Sequence, residues 1–427
     1  MFKQFIQKRL ENTVRDYFKK HPEVKLIVVT GSVGKTSTKR ALATLLSQRY
    51  RVQMENSNHN TELSAPLGIL GVEYPVGKVK NPFAWLSVYM AARHRVKAPT
   101  GVDVIIQELG TDAKGQIAQF STYLRPDVAV VTGVTPEHME FFGTLDAVAE
   151  EELTAANFSR MAVINRDDVA SEFSKYVSNT NLTTYGTSGA AEYRFEESDF
   201  DIEAGYSGQL IAPEFTQPLS VQVRVVGEHS LRPIMGAVAT SLKLGLSAED
   251  IQKGLLAIRP VPGRMNLLKG INSTLVIDDS YNSSPAAASA ALQALYSIQA
   301  PQHVAILGDM NELGTSSAEE HRRLGALCDP SILSWVITVG EQSEQHLAPA
   351  ARARGCQVKS FRSAIDAGTF ARGVTEPGAA ILVKGSQGGI YTEEAVKILC
   401  LMGEDDELVR QDAHWMKVKD EFFSKFK

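Results

Sequence analysis

Residues 26–40, LIVVTGSVGKTSTKR, constrain the chain more than any other stretch. Four apolar residues, too few for a helix and rich in β-branched side chains, read as a buried strand. Gly31 turns the backbone, Gly34-Lys35-Thr36 follows, and a helical pattern runs over 40–48. A strand, a glycine turn and a helix in that order open a parallel α/β sheet. They also build an anion cradle. The backbone N–H groups of Ser32, Val33, Gly34 and Lys35 meet at a helix N-terminus, where the dipole favours negative charge. Gly31 and Gly34 allow close approach, the Lys35 ammonium reaches β- and γ-phosphates, and the Thr36 hydroxyl suits Mg²⁺, with Ser37 next on the helix. Only Ser32 and Val33 separate the two glycines, where the commoner phosphate loop has four residues.

The alternation continues. Short apolar runs at 102–107, 128–132 and 161–164 are separated by amphipathic segments such as 145–157. That predicts a doubly wound, mostly parallel sheet. Residues 186–226, with Gly, Ser, Thr and alternating Val, predict a local antiparallel patch. A helical pair follows around 230–245 and 247–258, with Ser247 as N-cap. Arg259-Pro260-Val261-Pro262-Gly263 reads as a linker. Strand-like runs at 274–277, 303–307, 335–339 and 380–383 then restart the rhythm. The expected organisation is an amphipathic helix over 1–24, a P-loop ATPase domain over 25–260, and a Rossmann-like α/β domain over 261–427.

With 427 residues and 44% apolar content, the chain can bury an ordinary core. A net charge of −5 argues against a general nucleic-acid binder. Cys328, Cys356 and Cys400 lie far apart without metal-ligand spacing, as expected of reduced thiols in a cytoplasmic protein. No apolar run approaches the ~20 residues of a membrane span, and the charged N-terminus is not a signal peptide. Phe2, Ile6, Leu10, Val14, Tyr17 and Phe18 fall on one helical face, amid seven Lys/Arg and three Asp/Glu over 1–25. Such a helix either docks on its own domain or lies on an anionic membrane. The C-terminal WMKVKDEFFSKFK carries the same two readings.

In a doubly wound sheet, ligands gather at strand C-terminal ends. Glu108 ends VIIQELG, His138 lies in VTGVTPEHMEFFGT, and Glu150, Glu151 and Glu152 come on the next helix. A carboxylate and an imidazole beside a triphosphate suggest a second Mg²⁺ site, although that ion prefers oxygen ligands. Singly, each reads better as a structural or surface residue; the argument rests on their combination.

The combination resembles a known family. TGSVGKTST is similar to the short phosphate loop of the Mur ligases, ATP-dependent enzymes of peptidoglycan precursor synthesis. SNHNTELSAPLGIL, ELGTDAKGQI, GEHSLRPIMGA, VPGRM, DDSYNSSP, LGDMNELG and VKGSQGG resemble further family motifs in the right order, from about residue 25 to 395. DDSYN and GDMNELG are most similar to the branch that adds D-alanyl-D-alanine. The resemblance implies that ATP phosphorylates a substrate carboxylate and an amine then attacks the acyl phosphate. A bare carboxylate would have to expel oxide, so phosphorylation supplies the leaving group, and catalysis is mostly positioning and charge neutralisation. It also implies that residues 31–37 bind ATP and that two Mg²⁺ are used. Thr36 would hold one Mg²⁺, Glu108 and His138 the other. Arg264 would reach the phosphates, Asp279 the ribose, and Tyr281 and Asn282 would lie beside the nucleotide. Lys384 and Ser386 would belong near the incoming amine, Asn60 and Thr61 on the acceptor side. Lys35, Glu108, His138 and Arg264 form the expected catalytic set.

Four departures stand out. Glu152 falls where the family carries a lysine that is carbamylated in several members. It reads either as a carboxylate replacing the carbamate at the second metal or as one more solvated glutamate. Ser230 and Pro233 replace the asparagines of GEHSLRPIMGA's counterpart. Asp112 and Thr61 replace asparagines on the acceptor side. About 25 residues precede the phosphate loop, too few for a uridine-binding domain. The expectation is therefore that another surface or a protein partner holds the UDP-sugar, or that the acceptor lacks UDP. The leading expectation is a ligase joining D-alanyl-D-alanine to a muramoyl peptide. The alternatives are a relative with a polyglutamate-type or lipid-linked acceptor, and a non-catalytic ATP-binding scaffold. A P-loop kinase or switch GTPase does not explain a second α/β unit carrying VKGS.

Overall fold

The computed structural model describes residues 2–55, 59–75, 81–403 and 406–426; Ser57 and Asn58 of the acceptor-side stretch lie outside them. The described residues build two sheets. The first comprises β1 (Lys25–Thr30), β2 (Val52–Met54), β3 (Val104–Glu108), β4 (Val128–Val131), β5 (Met161–Asn165), β6 (Leu182–Gly186), β7 (Tyr193–Asp201), β8 (Gly205–Ile211) and β9 (Leu219–Val223). Its order is β2-β3-β1-β4-β5-β6-β7-β8-β9. Strands pair in parallel from β2 to β7, and β7, β8 and β9 pair antiparallel. The antiparallel patch expected near 186–226 thus extends one edge of the same sheet.

The second sheet comprises β10 (Asn266–Lys269), β11 (Leu275–Asp279), β12 (His303–Gly308), β13 (Leu333–Val339), β14 (Val358–Phe361) and β15 (Ala380–Lys384), in the order β10-β11-β15-β12-β13-β14. Only β10 is antiparallel to its neighbour.

Both faces of each sheet are covered, as parallel sheets require. Along β1, Ile27 and Val29 enter one apolar core while Leu26 and Val28 enter the core on the opposite face, following the two-residue period of a strand. In β11, Ile277 and Val276 divide in the same way between the two cores of the second sheet. Each such fully buried side chain stabilises by about 1.5–3 kcal/mol.

Among the described residues four helices precede β3: α1 (Phe2–Lys20), α2 (Lys35–Leu46), α3 (Ala65–Leu70) and α4 (Pro82–Lys97). Of the two readings of the N-terminal helix, docking on its own sheet is the one seen. Leu10, Val14 and Tyr17 are buried in the core shared with Leu26, Trp85 and Val88. The C-terminal helix Ala413–Phe423 is also docked, with Phe422 and Phe423 edge-on to Tyr391. Ser247 caps the helix Ala248–Ala257 in a reciprocal pair with Asp250. All three cysteines are free and buried. Among the described residues no helix is long and apolar enough to cross a membrane.

Candidate active site

β1 delivers the chain to Gly31 at the C-terminal edge of the first sheet. Gly31 has φ +123°, and a Cβ there would lie 2.3 Å from Thr132 Oγ1 and 2.8 Å from the Gly133 nitrogen. Only glycine fits. Ser32 N donates to Gly133 O at 2.9 Å, and Ser32 Oγ accepts from Thr135 N at 3.1 Å, tying the loop to the segment after β4. Gly34, at φ +84°, starts α2, so the free N–H groups of the helix face outward. Pro233 lies against this glycine, its Cγ 3.3 Å from where a Cβ would be. The departure from asparagine at 233 therefore places an apolar ring on the phosphate loop.

Lys35 folds back so that Nζ donates to the carbonyls of Gly31 and Ser32, and it lies 3.9 Å from Glu137 Oε2. Burial works against its charge, but the carboxylates of Glu137, Glu152 and Glu108 outweigh that and raise its pKa above the usual lysine value. It stays a cation at neutral pH. Thr36 Oγ1 donates to Glu108 Oε2 at 3.1 Å and accepts from Arg264 Nη2 at 3.2 Å. Arg264 comes from just before β10, and its guanidinium lies 4.3 Å over the Tyr281 ring.

A cavity of about 490 Å³ opens between the two sheets. Lys35, Thr36, Glu108 and His138 line its first wall; Arg264, Asp279, Tyr281, Asn282 and Lys384 line the other. Ser32, Val33, Gly34, Ser37 and Asn60 also face it. Gly31, Thr61, Glu152 and Ser386 do not. The Thr61 hydroxyl meets Ser64 Oγ at 2.8 Å at the entry to α3. Ser386 Oγ donates to Ser283 O at 3.1 Å and accepts from Asn311 N at 2.9 Å. Asp279 is engaged by Lys384 Nζ at 2.6 Å and Met265 N at 3.2 Å, and Lys384 also donates to Asn282 O at 2.9 Å. This buried pair fastens the turn that carries Tyr281.

The expected metal residues do not form one cluster: among the described residues no group of three His, Cys, Asp or Glu side chains is placed to hold a metal ion. His138 Nδ1 lies 2.7 Å from Glu312 Oε2, across from the second sheet. That carboxylate raises the imidazole pKa, with burial opposing, and it is Nδ1 that is engaged there. Glu152 is buried beneath the phosphate loop, accepting from Thr30 Oγ1 and from Gly31 N, the latter at 2.7 Å. It is not a solvated glutamate, and its carboxylate supports the loop from below. Burial raises its pKa despite nearby Lys35. Its neighbour Glu151 instead accepts from Gly115 N and Ile117 N at the start of the helix Gln116–Phe120, and Glu150 is exposed. One cation site does fit. The Thr36 hydroxyl and Glu108 carboxylate sit together beside the cradle, and buried Glu137 Oε2 has no hydrogen-bond partner among the described residues. This is the all-oxygen set that Mg²⁺ shares with phosphates.

Asn165, Asp168, Arg232 and His229 also line the cavity, outside the sequence-based expectation. Asn165, at the end of β5, donates to Thr132 O and Asp168 Oδ2, and Asp168 accepts from Arg232 at 2.7 Å. Their place at a strand C-terminal end was the clue. His229, beside Ser230, faces the cavity, and burial lowers its pKa to about 4 against the pull of Asp279. Glu312 sits inside GDMNELG.

A model of the Mur ligase middle domain matches residues 29–241, and one of the Mur ligase glutamate ligase domain matches residues 263–387. The chain belongs to the Mur ligase family. Among relatives of this Mur ligase, the UDP-N-acetylmuramoyl-tripeptide--D-alanyl-D-alanine ligase of Bacillus subtilis is 28% identical over 321 residues, covering 74% of this chain and 63% of that protein. The Escherichia coli enzyme of the same name is 27% identical over 325 residues, covering 75% and 65%. The chain thus spans just under two thirds of the length of these curated relatives. The fold is shared with MurF from Acinetobacter baumannii, with a TM-score of 0.74, 24% identity, and 91% and 79% of the two chains covered. It is shared too with Mycobacterium tuberculosis folylpolyglutamate synthase, with a TM-score of 0.66, 18% identity, and 94% and 96% covered.

Proposed function

We propose that this Mur ligase is an ATP-dependent amide ligase that joins the carboxylate of a muramoyl peptide to the amine of D-alanyl-D-alanine through an acyl phosphate. The observation that carries the reading is the cavity whose phosphate cradle comes from the first sheet and whose Arg264, Tyr281 and Lys384 come from the second. The names of the curated relatives supply the substrate pair. We take residues 25–260 and 261–427 as the two domains that meet there.

The chain's groups divide the work. The α2 N-terminus and Lys35 hold the β- and γ-phosphates. Arg264, within reach of Thr36, adds a second cation toward the transferring phosphoryl group. A carboxylate oxygen of the acceptor attacks the γ-phosphorus and ADP leaves; the amine nitrogen then attacks the carbonyl carbon, and phosphate leaves with the proton the amine gives up. Thr36 and Glu108 would hold Mg²⁺, which would supply neutralisation of phosphate charge. Arg264, from just before β10, already reaches Thr36 across the cavity, so the two walls meet at the cradle and exclude water there. Glu152 acts one step back, by fixing the Gly31 N–H and so the loop. Glu152→Gln is expected to weaken nucleotide binding, with Glu150→Gln as the neutral comparison, since Glu151 has its own structural duty.

The test is phosphate release from ATP with Mg²⁺, with UDP-muramoyl tripeptide and D-alanyl-D-alanine added separately and together. Release that needs both, and is lost in Lys35→Ala, supports the reading. Tight ATP binding with no release from the pair, but release with an acceptor lacking UDP, would replace the proposed acceptor.

A further inference from the structure

We propose that the outer face of α1 and α4 is a docking surface for an anionic lipid bilayer. The two helices lie side by side. Arg9 stands 4.8 Å over the Phe5 ring and 5.7 Å from the Tyr89 ring, Arg93 pairs with Asp16 at 2.6 Å, and Lys20 donates to Lys97 O. Residue numbers rise together along these contacts, so the helices run parallel and Phe5 is level with Leu86. Their inner faces are spent on the core through Leu10, Val14 and Tyr17 and through Trp85, Val88, Ala92 and Val96.

The outer face of α4 is where a globular protein would place charges. It carries Phe83 at 78% exposure, Leu86 at 55% and Met90 at 64%, with Phe5 of α1 at 55%. At about 100° per residue, Phe83, Leu86, Met90, His94 and Lys97 fall within one stripe of roughly 80°. Large side chains at i, i+3 and i+7 on that stripe form one patch, and a contiguous exposed patch marks an interaction surface.

The charge around the patch selects the partner. The two helices hold nine Lys/Arg and two Asp/Glu, in a chain whose net charge is −5. α4 has no acidic residue, Glu11 of α1 is buried, and Asp16 is paired with Arg93. Exposed Lys3, Lys8, Arg9, His94 and Lys97 rim the apolar side chains. Apolar side chains ringed by cations match an interface where acyl chains lie beneath anionic headgroups. The phosphate loop is not part of this face, so docking leaves the cavity free to work.

Co-sedimentation with phosphatidylglycerol-containing vesicles and with pure phosphatidylcholine vesicles tests this, using the whole chain. Binding is expected to anionic vesicles, to fall at least tenfold in Phe83→Glu/Met90→Glu, and to fall about fivefold for each of Lys8→Gln and Lys97→Gln. Because all these side chains are exposed, the melting temperature and ATP affinity of each variant are expected to stay at wild-type values. The proposal is overturned by absence of binding to anionic vesicles, by equal binding to neutral ones, or by undiminished binding of the double variant. It is equally overturned if the wild type is a dimer that Phe83→Glu/Met90→Glu converts to monomer without any vesicle binding, since a second copy then covers the face.

Discussion

Gly31→Ala probes the cradle most sharply, because its cost can be worked from the geometry. A Cβ at position 31 would meet Thr132 Oγ1 at 2.3 Å and the backbone nitrogens of Thr132 and Gly133 at 2.8 Å. The hydroxyl can swing aside, but the two nitrogens continue from β4 in the middle of the sheet and cannot. Holding a non-glycine residue at φ +123° costs about 1–3 kcal/mol. Forced overpacking adds about 1–3 kcal/mol. Loss of the Ser32–Gly133 hydrogen bond adds about 1 kcal/mol. The sum, roughly 3–7 kcal/mol, is comparable to the whole stability of many domains. Gly115→Ala is the control: it has φ +88° but nothing within 4 Å of the added carbon, so it costs only about 1–2 kcal/mol. Urea unfolding of both variants, with ATP titration by calorimetry, measures the difference. A Gly31→Ala protein as stable as Gly115→Ala, with unchanged ATP affinity, would refute the close approach on which the cradle rests.

Other expectations follow from the second wall. Lys384→Met strands the Asp279 carboxylate and should cost about 3–5 kcal/mol in urea unfolding, much of it recovered in Lys384→Met/Asp279→Asn. Arg410 donates to Glu393 and to the carbonyls of Ser280 and Tyr281, so Arg410→Ala should raise KM for ATP several-fold by loosening the Tyr281 turn; an unchanged KM would contradict that. His229 is held to about pKa 4, below an unfolded value near 6.5. Between those values the unfolded chain binds a proton the folded one refuses, so acidification destabilises the wild type. His229→Gln removes this, and its stability relative to wild type should rise by up to about 3 kcal/mol from pH 6.5 to pH 4; a constant difference would contradict the burial argument.

What the sequence showed was local. β1, the glycine turn and α2 are contiguous, so pattern and chemistry could be read together. β2 and β14, with three and four residues, carry too little pattern to stand out and form by pairing with β3 and β13. The ion pair of His138 with Glu312 joins residues 174 positions apart, and no spacing rule announces it. Glu150, Glu151 and Glu152 are identical letters with three fates, because each step along a helix turns about 100°. The first meets solvent, the second a neighbouring helix start, and the third the underside of the phosphate loop.

The most direct measurement follows oxygen. The acceptor carboxylate is labelled with ¹⁸O, turned over with ATP, Mg²⁺ and D-alanyl-D-alanine, and the released phosphate is weighed by mass spectrometry. An acyl phosphate carries one carboxylate oxygen into phosphate, so one ¹⁸O per phosphate is predicted. Amide formation with unlabelled phosphate would contradict the account.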